Sequence, residues 1–216
     1  MNKAVVFDLD GTLLDTVQDI HFSLNEVCQR CGYPQITLEH TIKAINTGAR
    51  QLVKNCLPKE VEGQEFENAF NLYQTIYHNS GYVHTRPFQG IKEVLVACKK
   101  AGYKVCVCTN KQISATLQLC KQNFPDFNFD YVLGIEDGII PKPDPTATLN
   151  MLKKINVSPE NAYFIGDGDT DVLTSINAQT KGISVLWGYR NKQELSNVGA
   201  KVFASEPLDL LKIIAL

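Results

Sequence analysis

Apolar positions follow two rhythms along this chain. One is the short continuous run rich in β-branched residues. Ala4-Val5-Val6-Phe7 is the first, and Lys104-Val105-Cys106-Val107-Cys108, Tyr131-Val132-Leu133, Ala162-Tyr163-Phe164-Ile165 and Gly182-Ile183-Ser184-Val185-Leu186 follow it, with Val202-Phe203 a last short one. Between these runs the apolar spacing becomes helical, over residues 91–101, 113–122, 145–154, 170–178 and 208–216. Gly102 is well suited to follow a helix end, and Pro145 is tolerated in a first turn. Strands alternating with helices predict an α/β fold, a doubly wound and mainly parallel sheet. Near-continuous apolar strands agree with burial on both faces of that sheet.

Residues 16–82 break the alternation, and no convincing strand lies there. Ile20, Leu24, Val27 and Cys28 mark one helical face, and Phe66, Phe70, Tyr73 and Tyr77 mark another. Thr37 is placed to cap a helix, while Gly48 and Pro58 punctuate the stretch. The chain is therefore expected to form one core domain from residues 1–15 and 83–216, with an α-helical domain of residues 16–82 inserted after the first strand.

Composition narrows the partners. The net charge is −2, which gives no reason to expect nucleic acid or an anionic membrane. No apolar run approaches the ~20 residues needed to span a bilayer. Asp8 and Asp10 would interrupt the apolar stretch of a signal peptide. Seven cysteines are an odd number, and Cys106 and Cys108 share one face of a strand and read as core. Cys28 and Cys31 make a lone CxxC without further metal-ligand partners, so buried thiols of a reducing, cytoplasmic compartment are expected.

Four groups carry candidate chemistry. The first strand runs straight into Asp8-Leu9-Asp10-Gly11-Thr12. Two carboxylates held close at a strand end are costly without a cation or a shared proton. Open α/β sheets place their ligands just outside the carboxyl ends of their strands. Asp8 suits a nucleophile that attacks phosphorus, and Asp10 suits a general acid and base for the leaving group and for water. The second group, Thr109-Asn110-Lys111, offers a hydroxyl and backbone N–H groups to a phosphate oxygen. The third is Lys142, in the middle of Pro141-Lys142-Pro143-Asp144-Pro145, where alternate prolines stiffen a loop around a fixed ammonium.

The fourth group is Gly166-Asp167-Gly168-Asp169-Thr170-Asp171. Its carboxylates resemble a hard-cation site. A calcium loop of the EF-hand type would need Gly and Glu at its sixth and twelfth positions, where this chain has Val172 and Ala178. Magnesium asks for only one or two carboxylates beside waters and phosphate oxygens. Asp167 is then a direct ligand and Asp171 a ligand through water, with Asp169 facing solvent or capping the next helix.

These four groups, in this order, resemble the haloacid dehalogenase superfamily, and the resemblance covers essentially the whole chain. It implies Asp8 as nucleophile, Asp10 as acid/base, and Thr109 and Lys142 as phosphate-stabilising residues. It also implies Mg2+ at Asp8, Asp167 and Asp171, with the backbone carbonyl of Asp10 as a further ligand. The insertion looks like the helical cap that one subfamily carries after the first motif and closes over small substrates. Leu14-Asp15-Thr16, the Thr109-Asn110-Lys111 triplet and Leu186-Trp187-Gly188-Tyr189-Arg190 look most like phosphoglycolate-phosphatase-type enzymes.

The expected activity is hydrolysis of a small phosphate ester. Asp10 argues against the dehalogenase branch, which lacks that aspartate. A β-phosphoglucomutase-type transferase would want a cap histidine where this chain has Ile20; His21 lies one position on, a turn of about 100° around the helix. A pyrophosphatase acting on a small diphosphate is a further alternative. A receiver-type phosphorylation switch shares the acceptor aspartate, Thr and Lys, but lacks both DxDGT on its first strand and a helical insertion. Within the insertion, Arg50 is the candidate for contact with a substrate carboxylate, because a guanidinium pairs bidentately with one.

Overall fold

The computed structural model describes residues 2–45 and 47–215. The chain divides into two compact units, residues 1–15 with 87–216, and residues 16–86.

The first unit is built on six strands: β1 (Lys3–Phe7), β4 (Tyr103–Gln112), β5 (Tyr131–Ile135), β6 (Ala162–Gly166), β7 (Lys181–Val185) and β8 (Phe203–Ala204). Two-residue strands, β2 (Leu14–Asp15) and β3 (Arg86–Pro87), lie where the chain leaves and re-enters this unit. The six strands run in the order β5-β4-β1-β6-β7-β8, and the described pairings are all parallel. β1 is thus central, and its Ala4, Val5, Val6 and Phe7 are fully buried. Val5, Val6 and Phe7 each contribute roughly 1.5–3 kcal/mol.

Side chains alternate between the two faces. Ala4, Val6, Cys106, Cys108, Leu133 and Phe164 pack in one cluster with Met151 and Leu152 of the helix α7 (Thr146–Lys154). Val5, Phe7, Val105, Val107 and Ile165 project from the other face and are equally buried. The helix α5 (Ile91–Lys100) packs on β4, α6 (Ile113–Asn123) on β5, and α8 (Asp169–Asn177) on β6 and β7. Burial on both faces is the doubly wound arrangement that unbroken apolar strands predict.

Chain order decides where a ligand can sit. From β1 the chain steps outward through β4 and β5, then continues on the opposite side of β1 through β6, β7 and β8. Flanking helices diverge at such a switch point, and the crevice opens outside the carboxyl ends of the strands there. Phe7 pairs in register with Val107 and with Ile165, so the residues just beyond them, Asp8, Cys108 and Gly166, lie at one level.

Three elements differ from the sequence pattern. β4 continues past Cys108 to Gln112 through a shift of register, so Thr109-Asn110-Lys111 is an irregular extension of a strand and not a loop after it. A short helix α9 (Lys192–Asn197) was not expected; it has one buried residue, Leu195, and is defined by a capping box between Asn191 and Glu194. The closing helix α10 spans only Asp209–Ile213, and Leu216 of the expected segment lies outside the described residues.

Among the described residues the second unit holds four helices, α1 (Val17–Cys31), α2 (Leu38–Ala44), α3 (Ala49–Cys56) and α4 (Gly63–Asn79). Both expected stripes are buried, Ile20, Leu24, Val27 and Cys28 on α1 and Phe66, Phe70, Tyr73 and Tyr77 on α4. Thr37 caps α2 by accepting from His40 N at 3.2 Å. No described helix is long and apolar enough to cross a membrane. All seven cysteines are free.

Asp19 ties the two ends of this unit together. Its carboxylate, almost wholly buried, accepts from His84 N, Thr85 N and Thr85 Oγ1 at 3.1, 2.7 and 2.7 Å. Asp19→Ala leaves those donors without their acceptor, and we expect a stability loss of about 2–4 kcal/mol. Urea unfolding measures it, and a loss below ~1 kcal/mol would count against this role for Asp19.

Candidate active site

The crevice at the switch point gathers residues from four stretches of the first unit. Asp8 follows β1 immediately and is held at its level by Asp8 N donating to Ile165 O at 2.9 Å. The loop 141–145 brings Lys142 to it, with Nζ 2.9 Å from Asp8 Oδ1 and 2.5 Å from Asp171 Oδ1. The ammonium lies beside Asp8 Oδ1 without the alignment of a hydrogen bond, so that buried oxygen has no hydrogen-bond partner.

Asp167 follows β6 and is fully buried. Thr12 Oγ1 donates to its Oδ1 at 3.2 Å, and Tyr189 N donates to its Oδ2 at 2.8 Å. Two glycines make the space. Gly11 turns the chain at φ +80°, and a Cβ there would stand 2.3 Å from Asp167 Oδ2; at Gly188 a Cβ would stand 2.3 Å from Asp167 Cβ. Any side chain at either position expels the carboxylate. Asp171, in the first turn of α8, has its second oxygen fixed by Gly168 N at 2.9 Å. Asp169 is half-buried at the start of the same helix.

Asp8, Asp167 and Asp171 each offer an oxygen within 4.8 Å of the others. Burial, reinforced by the charge of Asp171, raises the Asp8 carboxyl to about 7 against the pull of Lys142. Burial with the charges of Asp171 and Asp8 raises Asp167 to about 8. Burial works against the Lys142 ammonium, but Asp171 and Asp8 outweigh it and its pKa moves upward. One ammonium does not neutralise three desolvated carboxylates, and Asp8 Oδ1 is an orphaned acceptor. This donor set fits a hard divalent cation.

Of the other expected site residues, Thr109 is buried, one residue beyond the level of Asp8 on the neighbouring strand, and its Oγ1 accepts from Lys111 N at 3.3 Å. The Asn110 side chain is turned to the backbone of Lys142, accepting from Lys142 N at 2.8 Å and donating to Lys142 O at 3.0 Å. It holds the loop that carries the lysine. Asp10 is gripped by Lys111, whose Nζ donates to both carboxylate oxygens, at 2.8 and 2.9 Å.

Arg50 belongs to the helical unit. Its guanidinium pairs with both carboxylate oxygens of Glu67 and lies 5.0 and 5.3 Å from the Phe66 and Phe70 ring centres. His21 is also engaged there, its Nδ1 2.9 Å from Thr41 Oγ1 and its Nε2 3.2 Å from Asn25 Nδ2.

Sequence reasoning assigned no task to Thr12, Lys111, Gly188 or Tyr189. Thr12 and Lys111 stand inside motifs that were singled out, so adjacency was their signal. Gly188 and the Tyr189 N–H act through space and backbone, which a side-chain reading does not register.

The family model for haloacid dehalogenase-like hydrolases matches residues 5–185. A phosphoglycolate phosphatase of Aquifex aeolicus (strain VF5) is 30% identical over 212 residues, covering 98% of this chain and 96% of that protein. Another, of Nitrosospira multiformis, is 28% identical over 216 residues, with 98% and 95% covered. A crystal structure from Lactobacillus delbrueckii subsp. bulgaricus, of a protein provisionally called a phosphoglycolate phosphatase, superposes with a TM-score of 0.90 at 28% identity, covering 99% of both chains.

The raised carboxyls make stability pH-dependent. A carboxyl whose folded pKa is raised favours the folded state below its unfolded pKa, near 4, and loses that contribution as pH rises through the folded value. For Asp8 and Asp167 the loss falls through about 7 and about 8. A divalent cation replaces the lost protons, so its stabilisation should grow with pH. We expect the rise in Tm from magnesium over chelator to be larger at pH 8.5 than at pH 5.5. An equal rise at both would refute the cation reading of the cluster.

Proposed function

Because the chain belongs to the haloacid dehalogenase-like hydrolase family, we propose that it is a magnesium-dependent phosphatase that hydrolyses a small phosphate monoester of the phosphoglycolate kind through an aspartyl-phosphate intermediate. The observation that carries this reading is the orphaned oxygen of buried Asp8, 2.9 Å from the Lys142 ammonium, on a carboxylate that offers an oxygen within 4.8 Å of oxygens of Asp167 and Asp171. The names of the relatives support phosphoglycolate as the kind of substrate.

In this reading an Asp8 carboxylate oxygen attacks phosphorus and the bond to the ester oxygen breaks. Asp10 gives its proton to the departing alkoxide. It then takes a proton from water as that water attacks phosphorus, which breaks the aspartyl-phosphate bond and restores Asp8. Lys142 and Thr109 hold phosphoryl oxygens, and Asn110 keeps Lys142 in place through its backbone. Asp8, Asp167, Asp171 and the backbone carbonyl of Asp10 would hold Mg2+, which supplies positive charge where an anionic nucleophile meets an anionic substrate. The helical unit is assigned the part of the cap.

The engagement of His21 with Thr41 and Asn25 weighs against the mutase alternative, which needs a histidine at liberty to move a proton. A receiver-like switch would hold its phosphate, whereas the proposed enzyme releases inorganic phosphate repeatedly.

Asp8→Asn keeps the shape of the side chain and removes the attacking anion. Phosphate release with magnesium should fall by at least ~10³-fold, and near-normal turnover would sink the assignment of Asp8. Asp10→Asn should cost least with an aryl phosphate, whose leaving group needs no proton. Equal losses with aryl and alkyl phosphates would remove the acid role from Asp10.

A further inference from the structure

The phosphatase reading leaves unassigned the group that recognises what departs with the ester oxygen. Resting on that reading, we propose that Lys111 is the specificity residue. Its ammonium receives a carboxylate borne on the carbon that carries the phosphorylated oxygen, so the substrate class is the phosphorylated 2-hydroxy acids.

The argument begins from Asp10. A general acid must stand within about 2.6–3.2 Å of the oxygen it protonates, so the ester oxygen of a bound substrate faces the Asp10 carboxyl. Lys111 Nζ lies 2.8 and 2.9 Å from the two oxygens of that same carboxyl. In a phosphorylated 2-hydroxy acid the carboxylate carbon is only two bonds from the ester oxygen. Presenting that oxygen to Asp10 therefore leaves the substrate carboxylate within reach of the Lys111 ammonium. An ammonium suits the place because its three donors rotate and divide between two carboxylates.

The surroundings favour the assignment. The Lys111 and Asp10 side chains are 8% and 14% exposed, so the pair is little screened by salt, and a charge-assisted bond to a substrate is stronger there than on an open surface. Lys142 is spoken for at the opposite end of the chemistry, between Asp8 and Asp171. Arg50, the sequence candidate for this task, has its charge matched by Glu67 within the helical unit. The irregular end of β4 serves both lysines: Asn110 pins the backbone of Lys142, and the next residue, Lys111, meets Asp10.

A narrower role, in which Lys111 only positions Asp10, makes a different forecast. Phosphoglycolate and ethyl phosphate need the same proton from Asp10, but only the first carries a carboxylate. We expect Lys111→Met to lower the ratio of kcat/KM for phosphoglycolate to that for ethyl phosphate by about 10–100-fold, chiefly through KM. Lys111→Arg should restore most of that ratio. p-Nitrophenyl phosphate, which carries no carboxylate, should lose far less than phosphoglycolate, and whatever it does lose reports on Asp10 in the hydrolysis of the aspartyl phosphate. An unchanged ratio, whatever the absolute loss, overturns the proposal and leaves Lys111 as a support for Asp10.

Calorimetry separates this from a failure of the phosphatase reading. If the wild-type protein turns over none of the three esters, the phosphatase reading falls. Binding to the Asp8→Asn protein with magnesium then still decides about Lys111. Phosphoglycolate should bind it more tightly than ethyl phosphate, and adding Lys111→Met should abolish the preference. No preference in the Asp8→Asn protein, or one that survives Lys111→Met, overturns the assignment.

Discussion

The Lys142 ammonium stands 2.9 Å from Asp8 Oδ1 and 2.5 Å from Asp171 Oδ1, in a place where neither charge has much water. Desolvated carboxylates repel one another strongly and protonate if nothing offsets them. That constraint explains why so much of the first unit converges on one point. Asn110 fixes the backbone of the lysine, Gly168 N fixes the second oxygen of Asp171, and Thr12 and Tyr189 fix Asp167. Each bond favours the ionised form of a carboxylate or holds the Lys142 ammonium in range. The upward displacement of Asp8 and Asp167 that persists comes first from burial and then from the neighbouring carboxylates.

The sheet makes such a concentration possible. Across three neighbouring parallel strands, β4, β1 and β6, Val107, Phe7 and Ile165 lie in register. The chain crosses from one side of β1 to the other in passing from β5 to β6, and the crevice at that crossing receives the residues that follow each strand. Asp8 and Asp10 enter from β1, Thr109 to Lys111 from β4, and Asp167 and Asp171 from beyond β6. The apolar strands beneath are buried on both faces, which gives the charged ends a rigid base at low dielectric. Stability in the sheet and strong electrostatics at its edge come from the same packing.

The two lysines divide the site. Lys142 is enclosed with the proposed nucleophile and the acidic cluster, and Lys111 meets the proposed acid/base. In the proposed displacement nucleophile and leaving group occupy opposite sides of phosphorus, so the two lysines would serve different ends of the substrate. A substrate with an anion at each end matches that distribution of charge.

The sequence by itself determined the class of fold and the order of the motifs. Burial on both faces writes itself as an unbroken apolar run, as in Ala4 to Phe7, and a helical face writes itself as a stripe, as in Phe66 to Tyr77. Paired carboxylates at the end of such a run are legible because packing gives no reason for them. Tertiary structure decided what periodicity does not encode. The prolongation of β4 to Gln112 depends on its partner β5, and α9 exists through a capping box with a single buried leucine. The grip of Lys111 on Asp10 joins residues 101 positions apart. The place of Gly188 against Asp167 is an absence of atoms that only a neighbour makes meaningful. Arg50 shows the same limit from the other side. Its charge suited a carboxylate, and the fold supplied one in Glu67. Local patterns follow from each residue's own geometry and solvation, whereas the partner of a charge is fixed only when distant segments meet.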